Sequence, residues 1–233
     1  MTIGKLAGIA VLAYLLGAIP FALIFGWLMG KIDITKHGSG NIGGTNVLRT
    51  VGTRAAIVVV ILDLGKAFLA VWLAKIIMGS DFLLIDDFSL NWQGAQVLAA
   101  IMVMVGHNWS VYIKFRGGKG VATYFGSWFA MNPAAALFGG IITIMTASLT
   151  RYVSLGSILG ALGVVILMII LTLFHDFPPI YLVYSVIAVI MIIYQHRTNI
   201  GRLQTRTELR IGDKINKIKM KKSGSITEPP SAQ

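Results

Sequence analysis

The chain alternates long apolar stretches with short polar loops. Runs of about 20 apolar residues are typical of helices that cross a bilayer. Asn132-Pro133 interrupts one longer run, because proline cannot continue a helix, and six spans remain an alternative if that run is unbroken. The pattern predicts an all-α integral membrane protein with seven transmembrane helices, at residues 5–29, 55–78, 93–113, 120–131, 133–149, 155–174 and 179–195.

Composition favours a single polytopic membrane domain over residues 1–212. The chain has 233 residues, of which 56% are hydrophobic and only 12% are charged, about half the charged share of soluble domains. The first apolar run is too long for a signal peptide, so we expect it to be a retained span. Residues 213–233 are basic at first, and from Ser223 onward their composition is typical of disorder.

Composition also limits the chemistry that the chain can perform. It has no cysteine, which excludes a disulfide framework, a thiolate nucleophile and a cysteine-ligated metal. No cluster of carboxylates or histidines suggests a metal site, so we expect neither a metal nor a cofactor. The basic tail is interpreted as a segment attracted to anionic membrane lipids rather than to nucleic acid.

Charge is distributed unevenly between the two sets of loops. Basic residues concentrate in the loops after the first, third and fifth stretches and in the tail, whereas acidic residues occupy the opposite loops, at Asp81, Asp86, Asp87 and Asp176. Cytoplasmic loops of membrane proteins carry the excess of Lys and Arg. The N-terminus is therefore predicted outside, with the basic loops and the C-terminus in the cytoplasm.

The first basic loop, HGSGNIGGTNVLRTVG at residues 37–52, contains G-x-G-x-x-G. No strand precedes it, so it does not meet the requirements of a dinucleotide site. Glycines nevertheless let backbone N–H groups turn toward an anion, and an arginine offers a charged fork suited to phosphate. The loop is interpreted as a phosphate site, with an ordinary interfacial turn as the alternative. Its candidate side chains are Ser39, Asn41, Thr45, Asn46 and Arg49.

A second basic loop, KFRGGKGVATYFG at residues 114–126, places Lys119 among Gly117, Gly118 and Gly120, just before an apolar helix. A glycine-preceded helix N-terminus is a suitable anion site. Ile113 and Gly120 stand where a Walker A motif requires glycine and Ser or Thr, so nucleotide hydrolysis is disfavoured. A glycine turn with one cytoplasmic lysine is the alternative.

Other polar residues fall on the same predicted face or inside a span. Asp63 and Lys66 are spaced i, i+3 within a span and are predicted to form a buried ion pair, with direct ligand binding as the alternative. His107 ends the third span and is interpreted either as a satisfied interfacial histidine or as an active one. The remaining candidates are Ser154 and Ser157 in TRYVSLGS, and His196, Asn199 and Glu208 in the segment after the last span.

These motifs occur in one order: GSGNIGGTNVLRTVG, DLGKA, GHNWSVYIKFRGGKGVAT, TRYVSLGS and HRTNIGRL with the later Glu208. The set closely resembles the bacterial acyl-phosphate:glycerol-3-phosphate acyltransferase family (PlsY), over roughly residues 5–212. The resemblance implies a seven-helix enzyme of the bacterial cytoplasmic membrane with its active site on the cytoplasmic side. Such an enzyme acylates sn-glycerol 3-phosphate from acyl phosphate and releases lysophosphatidic acid and phosphate, in the first step of bacterial phospholipid synthesis.

The resemblance also implies residue roles. Residues matched to the catalytic positions are Ser39, Asn41, Arg49, Lys119, His196 and Asn199. Residues matched to substrate phosphate binding are Thr45, Asn46, Gly117, Gly118, Gly120, Ser154, Ser157 and Glu208.

An activated acyl phosphate would not need an acyl-enzyme, so catalysis is expected from positioning and charge stabilisation. A substrate phosphate oxygen is favoured as the proton acceptor, and His196 and His107 are the alternatives. A transporter of phosphate-bearing solutes and a CDP-alcohol phosphatidyltransferase are the competing hypotheses. The first is disfavoured because the polar residues sit at one interface rather than at the midplane. The second would need a carboxylate-rich metal motif, and only Asp63 is available.

Overall fold

The computed structural model describes residues 1–85 and 88–213. Within them, all seven apolar stretches are helical. The first stretch is not one helix, because Pro20 lacks a backbone N–H and interrupts it. The helices are α1 Thr2–Ala18, α2 Phe21–Gly30, α3 Gly44–Thr50, α4 Thr53–Met78, α5 Trp92–Asn108, α6 Val121–Met131, α7 Pro133–Thr150, α8 Val153–Phe174, α9 Pro179–Gln195 and α10 Arg197–Gln204.

Not every apolar stretch forms a helix that is long and apolar enough to cross a bilayer by itself. Four segments are long and apolar enough to span a bilayer: α1 with α2, α4, α7 and α8. The pair α9 and α10, bent by 61°, would make a fifth. Helix α6 has 11 residues and rises only about 16 Å, half of a hydrocarbon core. The predicted count of seven spans is therefore not confirmed.

A β-hairpin and a short helix were not predicted. Strands β1 Leu83–Ile85 and β2 Phe88–Leu90 form an antiparallel hairpin between α4 and α5, so the described chain is not purely helical as the sequence predicted. Asp86 and Asp87 lie outside the described residues. Helix α3 folds within the first glycine loop, where the sequence indicated only a turn.

Small residues allow the helices to pack closely. A Cβ atom on Gly106 of α5 would overlap the carbonyl of Tyr14 in α1, and one on Gly126 of α6 would overlap the carbonyl of Leu64 in α4. Such close backbone approach is typical of helix contacts in membranes. Helix α4 therefore contacts α6 closely, and α1 contacts α5.

A second, smaller core lies beside the main bundle. Ala22 of α2, Val47 of α3 and Val59 of α4 are buried together with Ile34, which lies in a short 3-10 turn after α2. This core fixes α3 against the first turns of α4. It therefore holds the first glycine loop at one end of the bundle.

The basic loops meet at that end. Arg49 Nη2 donates a hydrogen bond to the carbonyl of Leu209 at 3.1 Å, and Arg151 donates to the carbonyl of Ile211. At the opposite end, Lys5 near the start of α1 pairs with Asp81 at 2.9 Å, beside the β-hairpin. The two sets of loops thus lie at opposite ends of the molecule, as the charge pattern predicts.

Candidate active site

A cavity of about 470 Å³ opens where the basic loops converge. Its polar lining includes every predicted site residue except Gly117, which lies instead beside a small neighbouring pocket. The site residues that line the cavity are Ser39, Asn41, Thr45, Asn46, Arg49, Gly118, Lys119, Gly120, Ser154, Ser157, His196, Asn199 and Glu208.

Asn46 shapes the first glycine loop from within. Its side-chain oxygen accepts a hydrogen bond from the Ser39 backbone N–H at 2.9 Å, and its amide nitrogen donates to the carbonyls of Ile34 and His37. A Cβ on Gly38 would collide with this side chain. The amide of Asn46 is thus engaged by the loop itself, and the side chains of Ser39, Asn41 and Thr45 are presented to the cavity.

The second loop places Lys119 at the start of α6. Gly120 adopts a left-handed conformation with φ of 80°, which glycine accepts without steric cost. The Gly118 N–H donates to the carbonyl of His107 at 3.0 Å, so this amide is not available to an anion. Lys119 Nζ donates to Asn199 Oδ1 at 2.6 Å. The loop therefore contributes an ammonium and a helix N-terminus rather than a full ring of amide donors.

Glu208 connects the C-terminal segment to the rest of the site. Its carboxylate accepts hydrogen bonds from Ser154 Oγ at 2.8 Å, from Asn199 Nδ2 and from Arg202 Nε at 2.7 Å. Burial alone would raise the pKa of Glu208, but these three hydrogen bonds outweigh it and lower the pKa below its usual value. The Glu208 carboxylate is therefore ionised at neutral pH, and its oxygens already accept hydrogen bonds from the protein.

Charge at the cavity is dominated by cations. Burial lowers the pKa of Lys119 to about 8, and the neighbouring Arg202 and Arg49 lower it too, while Glu208 opposes them. Burial likewise lowers the pKa of Arg49, which stays charged because arginine starts far above neutral pH. Two carboxylates, Glu208 and Asp63, line the cavity, and each is paired with a cation, Arg202 and Lys66 respectively. Arg49 and Lys119 also line it and have no carboxylate partner among the described residues, so the polar end of the cavity is suited to anions.

His196 is buried and neutral. Burial, followed by repulsion from Lys119, lowers its pKa to about 4. Its Nδ1 lies 2.8 Å from the carbonyl of Ile192, which can only accept a hydrogen bond. The hydrogen of the neutral ring therefore sits on Nδ1, and Nε2 is left as an acceptor.

Two further ionisable residues, Asp63 and His107, line the cavity, and neither was among the predicted site residues. Asp63 and Lys66 form the ion pair that their spacing predicted, at 2.8 Å, and His107 packs against both. Asp63 and His107 reach the cavity. The sequence showed no histidine paired with a carboxylate, because Asp63 and His107 lie in different helices and only packing brings them together.

The cavity continues from this polar end into an apolar groove. Helix α6 packs against both α4 and α7, whereas α4 and α7 share no extended contact in the described structure. Phe125 and Phe129 of α6 form part of the groove's lining. The residues contributed by α4 and α7 are Val60, Leu64, Ala136, Leu137, Gly140, Ile141, Thr143 and Ile144.

Comparison with known proteins agrees with this architecture. A family model described as "Glycerol-3-phosphate acyltransferase" matches residues 7–206. A glycerol-3-phosphate acyltransferase of Dehalococcoides mccartyi is 44% identical over 92% of this chain and 99% of its own length. One from Synechococcus elongatus is 43% identical over 91% of this chain and 97% of its own length.

Two solved structures share the fold. One is PlsY, an integral membrane glycerol 3-phosphate acyltransferase, in its glycerol 3-phosphate form, with a TM-score of 0.77 and 34% identity over 90% of this chain and 96% of that one. The other is the lysophosphatidic acid form, with a TM-score of 0.76 and the same identity and coverage. The chain therefore belongs to the PlsY family of glycerol-3-phosphate acyltransferases and is a multi-pass membrane protein.

Proposed function

We propose that the protein transfers a fatty acyl group from acyl phosphate to sn-glycerol 3-phosphate, giving lysophosphatidic acid and inorganic phosphate. The observation that carries this proposal is the continuity of one cavity, cationic at one end and apolar along the other. A transporter or a phosphatidyltransferase does not fit the family to which the chain belongs. The glycerol 3-phosphate and lysophosphatidic acid forms of the related PlsY support the acceptor and the product.

The cationic end suits the phosphate groups of both substrates. Arg49 and Lys119 approach it from different loops, and the N-terminus of α6 adds its partial positive charge at Gly120 and Val121. Two phosphates held together would otherwise repel each other. Cations from two separate loops therefore offset this repulsion and keep the reacting groups close.

The apolar groove suits the acyl chain of the donor. Its α7 side includes Leu137, Ile141 and Ile144, all of which are exposed on the outer surface of the bundle. In a membrane, this surface faces lipid, so a chain could enter sideways without crossing the polar loops. Because the chain moves from lipid to the groove, it is held there by packing against the groove rather than by removal from water.

Acyl transfer in this site needs no covalent enzyme intermediate. A hydroxyl oxygen of glycerol 3-phosphate bonds to the acyl carbon, the bond from that carbon to the phosphate oxygen breaks, and inorganic phosphate leaves with the bonding electron pair. The hydroxyl proton passes to a phosphate oxygen of the donor. Lys119 and Arg49 stabilise the charge that develops on the leaving phosphate.

The remaining polar side chains orient these groups. His196 presents Nε2 as an acceptor, so it can accept a hydrogen bond from the hydroxyl of glycerol 3-phosphate that does not react. Ser39, Asn41 and Thr45 offer neutral contacts to substrate phosphates from the first loop. Glu208 acts through Ser154 and Asn199 rather than on phosphate directly, because its carboxylate is anionic and already bonded. This role differs from the phosphate binding that the resemblance implied.

Purified protein tests the proposal directly. With palmitoyl phosphate and glycerol 3-phosphate, we expect equal amounts of lysophosphatidic acid and phosphate. Palmitoyl-CoA or palmitoyl-acyl-carrier protein in place of palmitoyl phosphate should give no product. Lys119→Met should remove most turnover, whereas Lys114→Met, at an exposed lysine of the same loop, should not. Turnover with acyl-CoA alone, or full activity of Lys119→Met, would contradict the proposal.

A further inference from the structure

Lys66 is a cation buried between helices, with its side chain 3% exposed. Its ammonium group has three acceptors: Asp63 Oδ1 at 2.8 Å, the carbonyl of Ile19 at 2.9 Å and His107 Nδ1 at 3.1 Å. An ammonium carries three hydrogens and no lone pair. The ammonium is hydrogen-bonded to the carbonyl of Ile19, at the break between α1 and α2, and to His107 Nδ1, while Asp63 Oδ1 forms an ion pair with it.

The contact with Lys66 decides the tautomer of His107. Because the ammonium can only donate, Nδ1 must accept, and the hydrogen of the neutral imidazole must sit on Nε2. Asp63 Oδ1 does not reverse this, because it lies 3.6 Å from Nδ1, beyond ordinary hydrogen-bond length. Asp63 instead neutralises Lys66 and keeps it in place.

The Nε2 atom of His107 lies against the second glycine loop. A Cβ on Gly118 would overlap Nε2, and the Gly118 N–H is bonded to the His107 carbonyl. His107 lines the cavity together with Gly118 and Lys119. Within residues 1–85 and 88–213, no protein group accepts a hydrogen bond from Nε2. A neutral donor thus lies beside Gly118, in the lining of the cavity to which Lys119 also contributes.

We infer that His107 is a further substrate-binding residue, donating from Nε2 to a phosphate group held beside Gly118 and Lys119, and that Lys66 and Asp63 are positioning residues that hold it in this tautomer. The inference rests on the proposed function, which places phosphates at this end of the cavity. The shared ligand chemistry is a phosphate group, supplied either by glycerol 3-phosphate or by acyl phosphate. His107 and His196 then have complementary roles, since one donates and the other accepts.

The tautomer can be measured without any turnover. Protein labelled with 15N-histidine has four histidine signals to resolve, and His107→Gln identifies the one of interest. We expect a protonated Nε2 and an unprotonated Nδ1, with the Nε2 resonance moving when glycerol 3-phosphate or inorganic phosphate is added. A ring protonated on Nδ1 alone, or one insensitive to all phosphate ligands including an acyl phosphate, would overturn the inference even in a protein that shows no acyl transfer.

Kinetics then identifies the phosphate. His107→Leu removes the donor and should raise KM for one of the two substrates by roughly tenfold or more, the usual effect of losing a hydrogen bond to a charged group, with a smaller change in kcat. His107→Gln keeps a donor and should recover part of the loss. A rise in KM for glycerol 3-phosphate assigns the contact to the acceptor, and a rise for acyl phosphate assigns it to the donor. Unchanged KM values for both would refute the contact.

Lys66 is tested by matched substitutions on one helix. Lys66→Met removes the donor to His107 Nδ1, so His107 should no longer be held with its hydrogen on Nε2, and the same KM should rise. Lys75→Met, at an exposed lysine of α4, should change neither the tautomer nor KM. If Lys66→Met leaves a buried Asp63 unpaired and fails to fold, the pair Asp63→Asn with Lys66→Met removes both charges together. A folded double variant that keeps the wild-type tautomer and the wild-type KM would show that Lys66 does not position His107.

Discussion

Lys119 Nζ donates to Asn199 Oδ1 at 2.6 Å, across 80 positions of sequence. Asn199 in turn donates through Nδ2 to the carboxylate of Glu208. The ammonium of the second glycine loop is thereby tied to the C-terminal segment through a single amide. Its remaining hydrogens have no acceptor among the described residues, and the proposed function assigns them to a substrate phosphate. This arrangement makes the second loop and the C-terminal segment parts of one site.

The contact predicts the effect of replacing Asn199. Asn199→Asp would place a second carboxylate beside Glu208 and would attract the ammonium away from substrate phosphate. We expect kcat/KM to fall roughly ten- to hundredfold, corresponding to about 1.5–3 kcal/mol for a charge-assisted hydrogen bond. Gln195→Glu, an acidic substitution of a neighbouring partly exposed amide, serves as the control. Equal activity of the two variants would contradict the role of Asn199.

Lys119 also predicts a dependence on pH. Its pKa of about 8 means that the ammonium of the free protein is charged below pH 8 and is lost above it. We therefore expect kcat/KM to decline above about pH 8, because kcat/KM reports ionisations of the free enzyme. Lys119→Arg stays charged at these pH values. Whatever activity it retains should lack the alkaline decline, and persistence of that decline would assign it to another group.

The lowered pKa of His196 predicts how activity depends on pH below neutrality. Its pKa of about 4 keeps the ring neutral through the physiological range. Loss of activity near the ordinary histidine value of about 6.5 should therefore not come from His196. A loss in this range that persists in His196→Gln belongs to another group, such as a substrate phosphate, whose second pKa is about 6. His196→Gln cannot titrate but keeps an acceptor for the substrate hydroxyl, so it should retain measurable turnover at saturating glycerol 3-phosphate. An inactive glutamine variant that still binds glycerol 3-phosphate by calorimetry would identify His196 as the base.

Glu208 predicts a contribution to stability with a defined pH window. Its lowered pKa favours the folded state above the ordinary value of 4.5, and this contribution is lost as pH falls through the lower pKa of the folded protein. Glu208→Gln should therefore unfold at a lower temperature than wild type at pH 7, and the difference should shrink below about pH 4.5. Asp213→Asn, at an exposed carboxylate in the same segment, is the control. A difference that does not change with pH would indicate lost packing rather than lost charge.

Orientation in the membrane is predicted from charge and can be tested by labelling. The chain has no cysteine, so single cysteines introduced at Ser89 and Thr205 have no background. With the basic loops in the cytoplasm, Ser89→Cys should react with an impermeant reagent from outside, and Thr205→Cys only after the membrane is opened. Reaction of both from one side would reject the predicted topology.

The sequence by itself determined where the apolar stretches lie and which loops carry the candidate chemistry. Hydropathy depends on each residue's own preference for lipid, so the seven apolar stretches could be located without knowledge of the fold. Glycine, lysine and arginine marked the loops for a similar local reason, since each brings its conformational freedom or its charge wherever it lies. The spacing of Asp63 and Lys66 was also a local signal, and it correctly predicted their ion pair.

Only the tertiary structure decided how those loops meet. Glu208 is bonded to Ser154 from 54 positions away, and Lys66 reaches His107 and the carbonyl of Ile19 across helix boundaries. Hydrogen bonds of this kind depend on helix packing, which no local pattern encodes. The same packing brings the His107 carbonyl to the Gly118 N–H, which donates a hydrogen bond to it. A glycine-rich sequence therefore shows that a backbone can turn, but the surrounding helices decide which donors remain for a ligand.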